Sequence, residues 1–573
     1  MASLLQGDAA AGIEPLAGTV DLIYIDPPFD TGADFSFRTQ IGDEEVEKEP
    51  GILEHLAYRD TWGGGGKTSY LQMLYDRLVV ARELLSETGS VYVHIGPQIN
   101  HLARCVLDMV FGDEYDQREI IWKRVAARSH GRYYPATHDS ILFFSKTENL
   151  TWNQLYEPLD PSYIASHYTL QDSNGRRFMA DNCLNQNPDR PNLRYEWHGH
   201  IRTWRWTKER MQELDKEGRL LYTSSGMPRY KRYLDESEGT PLQSVWTDIR
   251  PLNSQAKEDT GYDTQKPEAL LERIIKASSN EGDLVADFFL GSGTTAAVAH
   301  KLGRRWIGCD LGRFAVHTSR KRLLDLGATF DVYNLGKYER SHWQGVTLGD
   351  RLRAYVDFIL ALYRAEPAPG FRHLHGKRGS RAVHVGAVDS PITFAELADV
   401  LAECRDTHTS AVDVLGWEWE MGVNDLARKQ AEADGVDLRC YQIPNDVMDR
   451  RAKQADVRFY SLAYLEAAAR VVAPRSVQIA LTDFVIPDLD LVPAAVREKV
   501  TRWSDYIDYW AVDFDYHDDT FCNGWQAFRT RARRTLDTVS AAHTYPAPGR
   551  YTVLVKVVDV FGIDSTRRLE VSV

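Results

Sequence analysis

A chain of 573 residues has room for three or four domains and a large buried core, and its formal net charge of -14 argues against an indiscriminate polyanion binder, whose global field would be positive. Six cysteines without a C-x-x-C pair argue against a disulfide framework or a zinc ribbon. No apolar run approaches the roughly 18 to 20 residues that a bilayer crossing needs, and the N-terminus lacks a basic region ahead of an apolar core, so a soluble cytoplasmic protein with no membrane partner is expected.

The first element is a strand that ends abruptly. Leu22, Ile23, Tyr24 and Ile25 form an apolar run suited to burial on both faces, and Pro27 and Pro28 lack the N–H donors a ladder needs. The chain must leave the sheet at Asp26, and in an open parallel sheet ligands bind at the carboxyl ends of strands. Asp26 and Phe29 therefore fall on a stiff loop at a cleft, with an acid-capped β-turn as the plain alternative. The glycine run at 63–66 is a flexible loop, because Thr61 stands where a phosphate loop needs its first glycine. Residues 71–87 carry apolar side chains at helical spacing, and "SVYVHI" and "HDSILFFSK" read as strands. From Arg118 to Arg132 five basic residues stand against one acid.

Between about 151 and 261 periodicity is poor and aromatics mix with arginines, and from Arg190 to Arg232 eleven basic residues face five acids. Alternation then resumes, with "KPEALLERIIKASS" a helix, "DLVADFF" a strand, "TTAAVAHKLG" a helix and "RWIGCDL" a strand. This is the punctuation of a parallel sheet with crossover helices. A smaller α/β unit is expected to follow over 341–480, and period-2 alternation with Pro-Gly punctuation predicts a β-sandwich over 481–573.

The segment "DFFLGSGTTAAVAHKLGRRWIGCD" carries a second cluster. Asp287 closes a strand, Gly291 and Gly293 allow a tight turn, Thr294 starts a helix whose N-terminus faces a polar ligand, and Asp310 ends the next strand, where an acid accepts ribose hydroxyls. A G-x-G alone is also a common packing turn, but the strand-end acid makes a nucleoside cofactor the better reading. The third glycine of a pyrophosphate fingerprint is missing, which points to S-adenosyl-L-methionine.

"DPPF" followed by "TQKPEALLERII" and "DFFLGSGTT" resembles the DNA amino-methyltransferases that modify adenine N6 or cytosine N4, in the β group whose catalytic motif precedes the cofactor motif, as in modification subunits of type III restriction systems. The resemblance spans about residues 5–340. It implies an α/β, Rossmann-like methyltransferase sheet with permuted motif order, its catalytic half over 1–150, a target-recognition insert over 151–261 and its cofactor half over 262–340. Asp26, Pro27, Pro28 and Phe29 would be the catalytic tetrad. Thr264, Gln265, Lys266 and Pro267 would line the methionine part of the cofactor, together with Asp287, Phe289, Gly291, Ser292, Gly293, Thr294 and Thr295. Asp310 would hold the ribose and Asp8 the adenine. Two departures stand out: Phe288 occupies the place of a usual proline, and with only about 25 residues ahead of the tetrad an N-terminal element is expected to be absent.

The chemistry follows from an exocyclic amine being a poor nucleophile. Acceptance of its two hydrogens by the Asp26 carboxylate and the Pro27 carbonyl would aim the nitrogen lone pair at the methyl donor. A carboxylate of pKa about 4 cannot deprotonate a neutral arylamine, so Asp26 is expected to orient first and take a proton only as or after the methyl moves. Phe29 would stack on a flipped base. Adenine N6 is preferred on the resemblance, with cytosine N4, an RNA amine and an inactive recognition subunit as alternatives. Carbon-5 chemistry is disfavoured because no cysteine follows a proline in the arrangement it needs. Double-stranded DNA is the implied partner, with Lys123, Arg124 and Arg128 expected on phosphates and Arg202 and Arg205 on base edges. Trp204 and Trp206 are open to either base contact or a module core. "HGH" at 198–200 and "HLH" at 373–375 lack a third ligand, so no metal is expected. Neither a nuclease signature nor a helicase phosphate loop is visible, so restriction would need a partner subunit; a homodimer also remains open.

Overall fold

The computed structural model describes residues 3–6, 16–27, 37–41, 44–48, 67–125, 134–334 less 188, 254–255, 257, 263 and 311, and 350–573 less 388–389, 418, 421–422, 444–458, 487–496, 498–499, 501, 518–520, 530–534 and 561–563. Its central element is a nine-stranded sheet. In chain order this part runs β1 (Ser3–Gln6), β2 (Val20–Ile25), α1 (Lys67–Leu84), β3 (Leu85–Ile95), α2 (Asn100–Phe111), β4 (Asp116–Lys123) and β5 (His138–Ser145). It continues with β6 (Val245–Trp246), α3 (Glu268–Ser278), β7 (Leu284–Asp287), α4 (Thr294–Lys301), β8 (Arg305–Asp310), α5 (Arg313–Asp325) and β9 (Asp331–Asn334). The spatial order is β6-β4-β5-β3-β2-β7-β8-β1-β9. Strand β5 runs against both its neighbours, and all other adjacent pairs are parallel.

The apolar patterns explain the layers. Leu22 and Ile23 on successive positions of β2 are fully buried, as a strand covered on both faces requires. Helix α1 buries Tyr70, Met73, Leu74, Leu78 and Ala81, a stripe of three- and four-residue steps that meets Ala103, Leu107 and Phe111 of α2 over the sheet. The crossover β2-α1-β3 steps one way along the sheet and β7-α4-β8 steps the other. Adjacent β2 and β7 are thus a topological switch point, with a crevice outside their carboxyl ends.

The insert is a compact unit of its own, Asn153–Ser244, shorter than the predicted 151–261. Residues 245–246 return to the large sheet, pairing with Ile121 and Trp122. Aromatic and arginine content could not mark that edge, because strand pairing rather than composition decides it. Within the unit, a four-stranded antiparallel sheet and the hairpin Arg194–Trp197/His200–Thr203 enclose Cys183, Trp197, Trp204, Met211, Leu214 and Leu220. Its two ends meet where the Leu242 N–H donates to the Leu155 carbonyl at 2.8 Å.

The small α/β unit has the parallel strands Arg381–Val385, Ala411–Gly416 and Asp437–Gln442 with helices Phe394–Asp406 and Val423–Asp434, as predicted. Its boundary does not fall at 480. Tyr464–Ala473 and Ser476–Val485 form an antiparallel hairpin that belongs to the sandwich, where Ile479 packs with Trp510, Val512, Val553 and Val555. A strand of either class is apolar, and only its antiparallel partner assigns it.

Candidate active site

Proline at 27 ends β2 as expected and leaves Asp26 at the crevice, its side chain 17% exposed. The Lys266 ammonium, from the segment leading into α3, pairs with Asp26 Oδ2. Below them lies a buried polar chain. The Tyr24 hydroxyl meets His94 Nδ1 at 2.8 Å, His94 Nε2 meets Asp139 Oδ2 at 3.2 Å, and Arg124 Nε stands 3.6 Å from the same oxygen. Burial pushes the Asp139 carboxyl up, but His94, Arg124 and Lys266 outweigh it and hold the group below the usual carboxylate range. Burial raises the Tyr24 phenol well above its ordinary value, and the negative charges of Asp26, Asp287 and Asp139 push the same way.

On the β7 side the strand ends in Asp287, 3% exposed. Its Oδ1 accepts the Phe289 N–H at 3.0 Å and its Oδ2 the Thr295 hydroxyl at 2.6 Å, so the turn closes without the usual proline, and Phe288 joins the core instead. Burial, reinforced by Asp26 and Asp310, pushes the Asp287 carboxyl up to about 7 against the pull of those two hydrogen bonds. Gly291 and Gly293 have φ of 53° and 75°, the left-handed region that glycine adopts freely. A Cβ at Gly293 would lie 2.7 Å from Ser319 Oγ, so the close approach of α5 also demands glycine. Asp310 accepts the Gly291 N–H on Oδ2 and the Gly312 N–H on Oδ1, both at 2.8 Å. The result is a cluster of three carboxylates, a glycine turn and the Lys266 ammonium at the carboxyl ends of β2, β7 and β8.

Residues 20–321 match the family model described as DNA methylase. The chain belongs to that family. Among curated relatives, the type II methyltransferase M.EcaI of Enterobacter cloacae is 33% identical over 311 residues, 52% of this chain and 64% of that protein. The StyLTI Mod subunit, of a type III restriction-modification enzyme from Salmonella typhimurium, is 28% identical over 302 residues, 49% of this chain and 46% of that protein. The chain thus spans less than two thirds of either relative. The DNA adenine methyltransferase YhdJ of Escherichia coli is 25% identical over 360 residues, 61% of this chain and 92% of that protein.

Placed individually, the predicted site residues divide into groups. Asp26, Lys266, Asp287, the turn at 291–293 and Asp310 converge. Ser292 is buried with its hydroxyl 3.2 Å from that of Thr294. Phe289 is half-buried against the core, the Thr264 carbonyl accepts from Lys266 at 3.5 Å, and Pro267 caps α3. Gln265 is occupied in its own loop, donating to the Glu258 carbonyl at 2.6 Å and accepting from the Thr260 N–H at 2.9 Å. Asp8, Pro28, Phe29 and Arg128, and the glycines at 63–66, lie outside the described residues. Lys123 is exposed at the carboxyl end of β4, which points to the same end of the sheet as that of β2.

In the insert, Trp204 is fully buried and its indole N–H donates to the Tyr195 carbonyl at 2.9 Å, so the core reading holds for it. Trp206 is half-buried against Tyr230. Arg205 pairs with Asp181 at 2.9 Å, while Arg202 is exposed. "HGH" is a hairpin turn: His198 and Gly199 take φ of 48° and 79° between paired Trp197 and His200. In "HLH", His375 Nδ1 accepts the Val385 N–H at 2.9 Å.

The sequence reading missed the chain Tyr24-His94-Asp139. A signal was present, because His94 and Asp139 interrupt apolar strand runs, and a polar group buried in such a run needs a partner.

Proposed function

We propose that this chain transfers a methyl group from S-adenosyl-L-methionine to the N6 amine of a flipped adenine in double-stranded DNA. The observation that carries the reading is the meeting of Asp26 and the turn at 291–293 in one crevice at the β2/β7 switch point. The residues fit a cationic nucleoside ligand. Asp310 and Asp287, the latter pushed up to about 7 and so ionised readily by a nearby cation, gather acidic groups there, and the glycine turn presents backbone, Gly293 standing where a Cβ would collide with Ser319 of α5. When bound, the cofactor supplies an electrophilic methyl on a sulfonium. Asp287 and the turn at 291–293 would hold its methionine end and Asp310 its ribose, through lone pairs beyond those given to Gly291 and Gly312.

The protein's own part is orientation. Asp26 gives Oδ2 to Lys266, and Oδ1 would receive one amine hydrogen while the Pro27 carbonyl receives the other. The amine nitrogen is then held with its lone pair toward the crevice. The Tyr24-His94-Asp139 chain ties β2 to β3 and β5 directly beneath that carboxylate.

Adenine is supported by the aspartate that begins the tetrad and by the name of YhdJ. The name of the StyLTI Mod subunit supports a place in a restriction-modification system with a separate restriction subunit as candidate partner; a role in phage defence, a cytoplasmic location and a second copy of the chain as partner are carried by the sequence reading alone. The unit 153–244 would read the target sequence. The test is tritiated-methyl transfer to DNA followed by nucleoside analysis. N6-methyladenine is the expected product, N4-methylcytosine would move the reading to the other amine, and absence of transfer to any DNA would overturn it.

A further inference from the structure

Helix α5 has two working faces. Positions 317, 320, 321 and 324 recur at the spacing that brings side chains to one side of a helix, and all four meet the C-terminal sandwich. His317 Nε2 donates to Asp508 Oδ2 at 2.5 Å and the Lys321 ammonium to Asp508 Oδ1 at 2.7 Å. Asp508 belongs to the sandwich strand Ile507–Asp513. Arg320 donates to His317 Nδ1 at 3.3 Å, which puts the imidazole proton on Nε2, and its guanidinium lies 5.5 Å from the centre of the Tyr509 ring. Leu324 packs on Tyr509, Ala511 and Val558. Burial pushes the Asp508 carboxyl up, but Lys321 and His317 overcome it and hold the group well below the usual carboxylate range. Burial lowers His317, in keeping with a neutral donor.

The opposite face carries Ser319 and Arg322. The Ser319 hydroxyl donates to the Gly291 carbonyl at 2.9 Å. Arg322 Nη1 donates to the Ser292 carbonyl at 3.3 Å and to Thr294 Oγ1 at 2.9 Å, and Nη2 to Glu268 Oε1 at 2.8 Å. One helix thus links a buried anion of the sandwich to the backbone of the glycine turn.

From this arrangement we infer that the C-terminal sandwich braces the cofactor turn, with Asp508 a positioning residue for cofactor binding that acts through α5 on residues 291–294. The inference rests on the turn being the S-adenosylmethionine site. Physically, a buried carboxylate shared by two donors one turn apart holds the helix in one axial and rotational setting, since displacement would leave charges buried without partners. The turn depends on that setting, because its two left-handed glycines and the Ser319 contact at Gly293 tolerate little shift.

The test uses the full chain. Asp508→Ala, Lys321→Met, Ser319→Ala and the Asp508→Ala/Ser319→Ala pair are compared by calorimetry with S-adenosylmethionine, by cofactor KM against kcat, and by hydrogen exchange of amides 291–296, each well below its melting temperature. Asp508→Ala should weaken cofactor affinity about tenfold, raise KM with kcat at saturation within about threefold, and speed exchange at 291–296, while the pair should be less than additive. Unchanged affinity and exchange in folded Asp508→Ala would overturn the brace; should that variant not fold, unchanged affinity and exchange in Lys321→Met would overturn it equally. If the wild type binds no S-adenosylmethionine, the cofactor reading fails, whereas exchange at 291–296 still reports on the brace.

Discussion

Asp287 and Lys266 show how single residues set the electrostatics of the crevice. The Asp287 carboxyl, pushed to about 7, is raised above its unfolded value of roughly 3.9, so its contribution to stability is full below about pH 4 and is lost as pH rises through 7. A cationic ligand favours the ionised form and lowers the bound pKa, so binding must release protons near neutrality. Affinity for S-adenosylmethionine is therefore expected to climb with pH up to about 7 and then level off, with Asp287→Asn flattening the profile; calorimetry in buffers of different ionisation enthalpy measures both. Lys266→Ala would leave Asp26, 17% exposed, without its cation. A cost of about 1–3 kcal/mol, or roughly 5- to 150-fold in methyl transfer, is expected, with the cofactor dissociation constant moving much less. Equal losses in both would mean that Lys266 belongs to the cofactor, as its motif first suggested.

At the scale of elements, the turn between β7 and α4 carries the sharpest constraint. Gly293→Ala would force a left-handed residue to carry a Cβ and push it to 2.7 Å from Ser319 Oγ. A loss of about 1–3 kcal/mol is expected, read as a lower melting temperature together with weaker cofactor binding. In the insert, the hairpin Arg194–Trp197/His200–Thr203 brings Trp197 into a small core with Trp204. Trp204→Ala should cost about 3–5 kcal/mol, enough to unfold so small a unit, and should abolish motif-specific methylation while S-adenosylmethionine still binds. Loss of cofactor binding in that variant would show that the insert is needed for the main sheet to fold.

For the whole molecule, the ends of the insert meet across the pairs Tyr156–Pro241 and Glu157–Thr240. Replacing 153–244 by a short linker is therefore expected to leave the remaining unit folded and able to bind S-adenosylmethionine, because backbone that enters and leaves at adjacent points closes at little entropic cost. The excised chain should lose sequence preference in methylation sequencing. Retention of the wild-type motif would move target reading to another part of the chain.

Much of the crevice was legible in order along the chain. An apolar run halted by two prolines had to surrender Asp26 at a strand end, and two glycines between a strand and a helix had to turn, because backbone chemistry at those positions is local. Helices α1, α3 and α4 and strands β2, β3, β5, β7 and β8 followed from local apolar patterns for the same reason, whereas β1, β4, β6 and β9 did not. The partners of those residues were not local. Lys266 reaches Asp26 across 240 positions, and Asp508 reaches His317 across 191. The insert's end and the sandwich's first hairpin were misplaced because apolar strands look alike until something pairs with them. Sequence determined which residues could turn, stop or bury; tertiary structure decided which charges face one another, since that energy depends on distances only the closed fold defines.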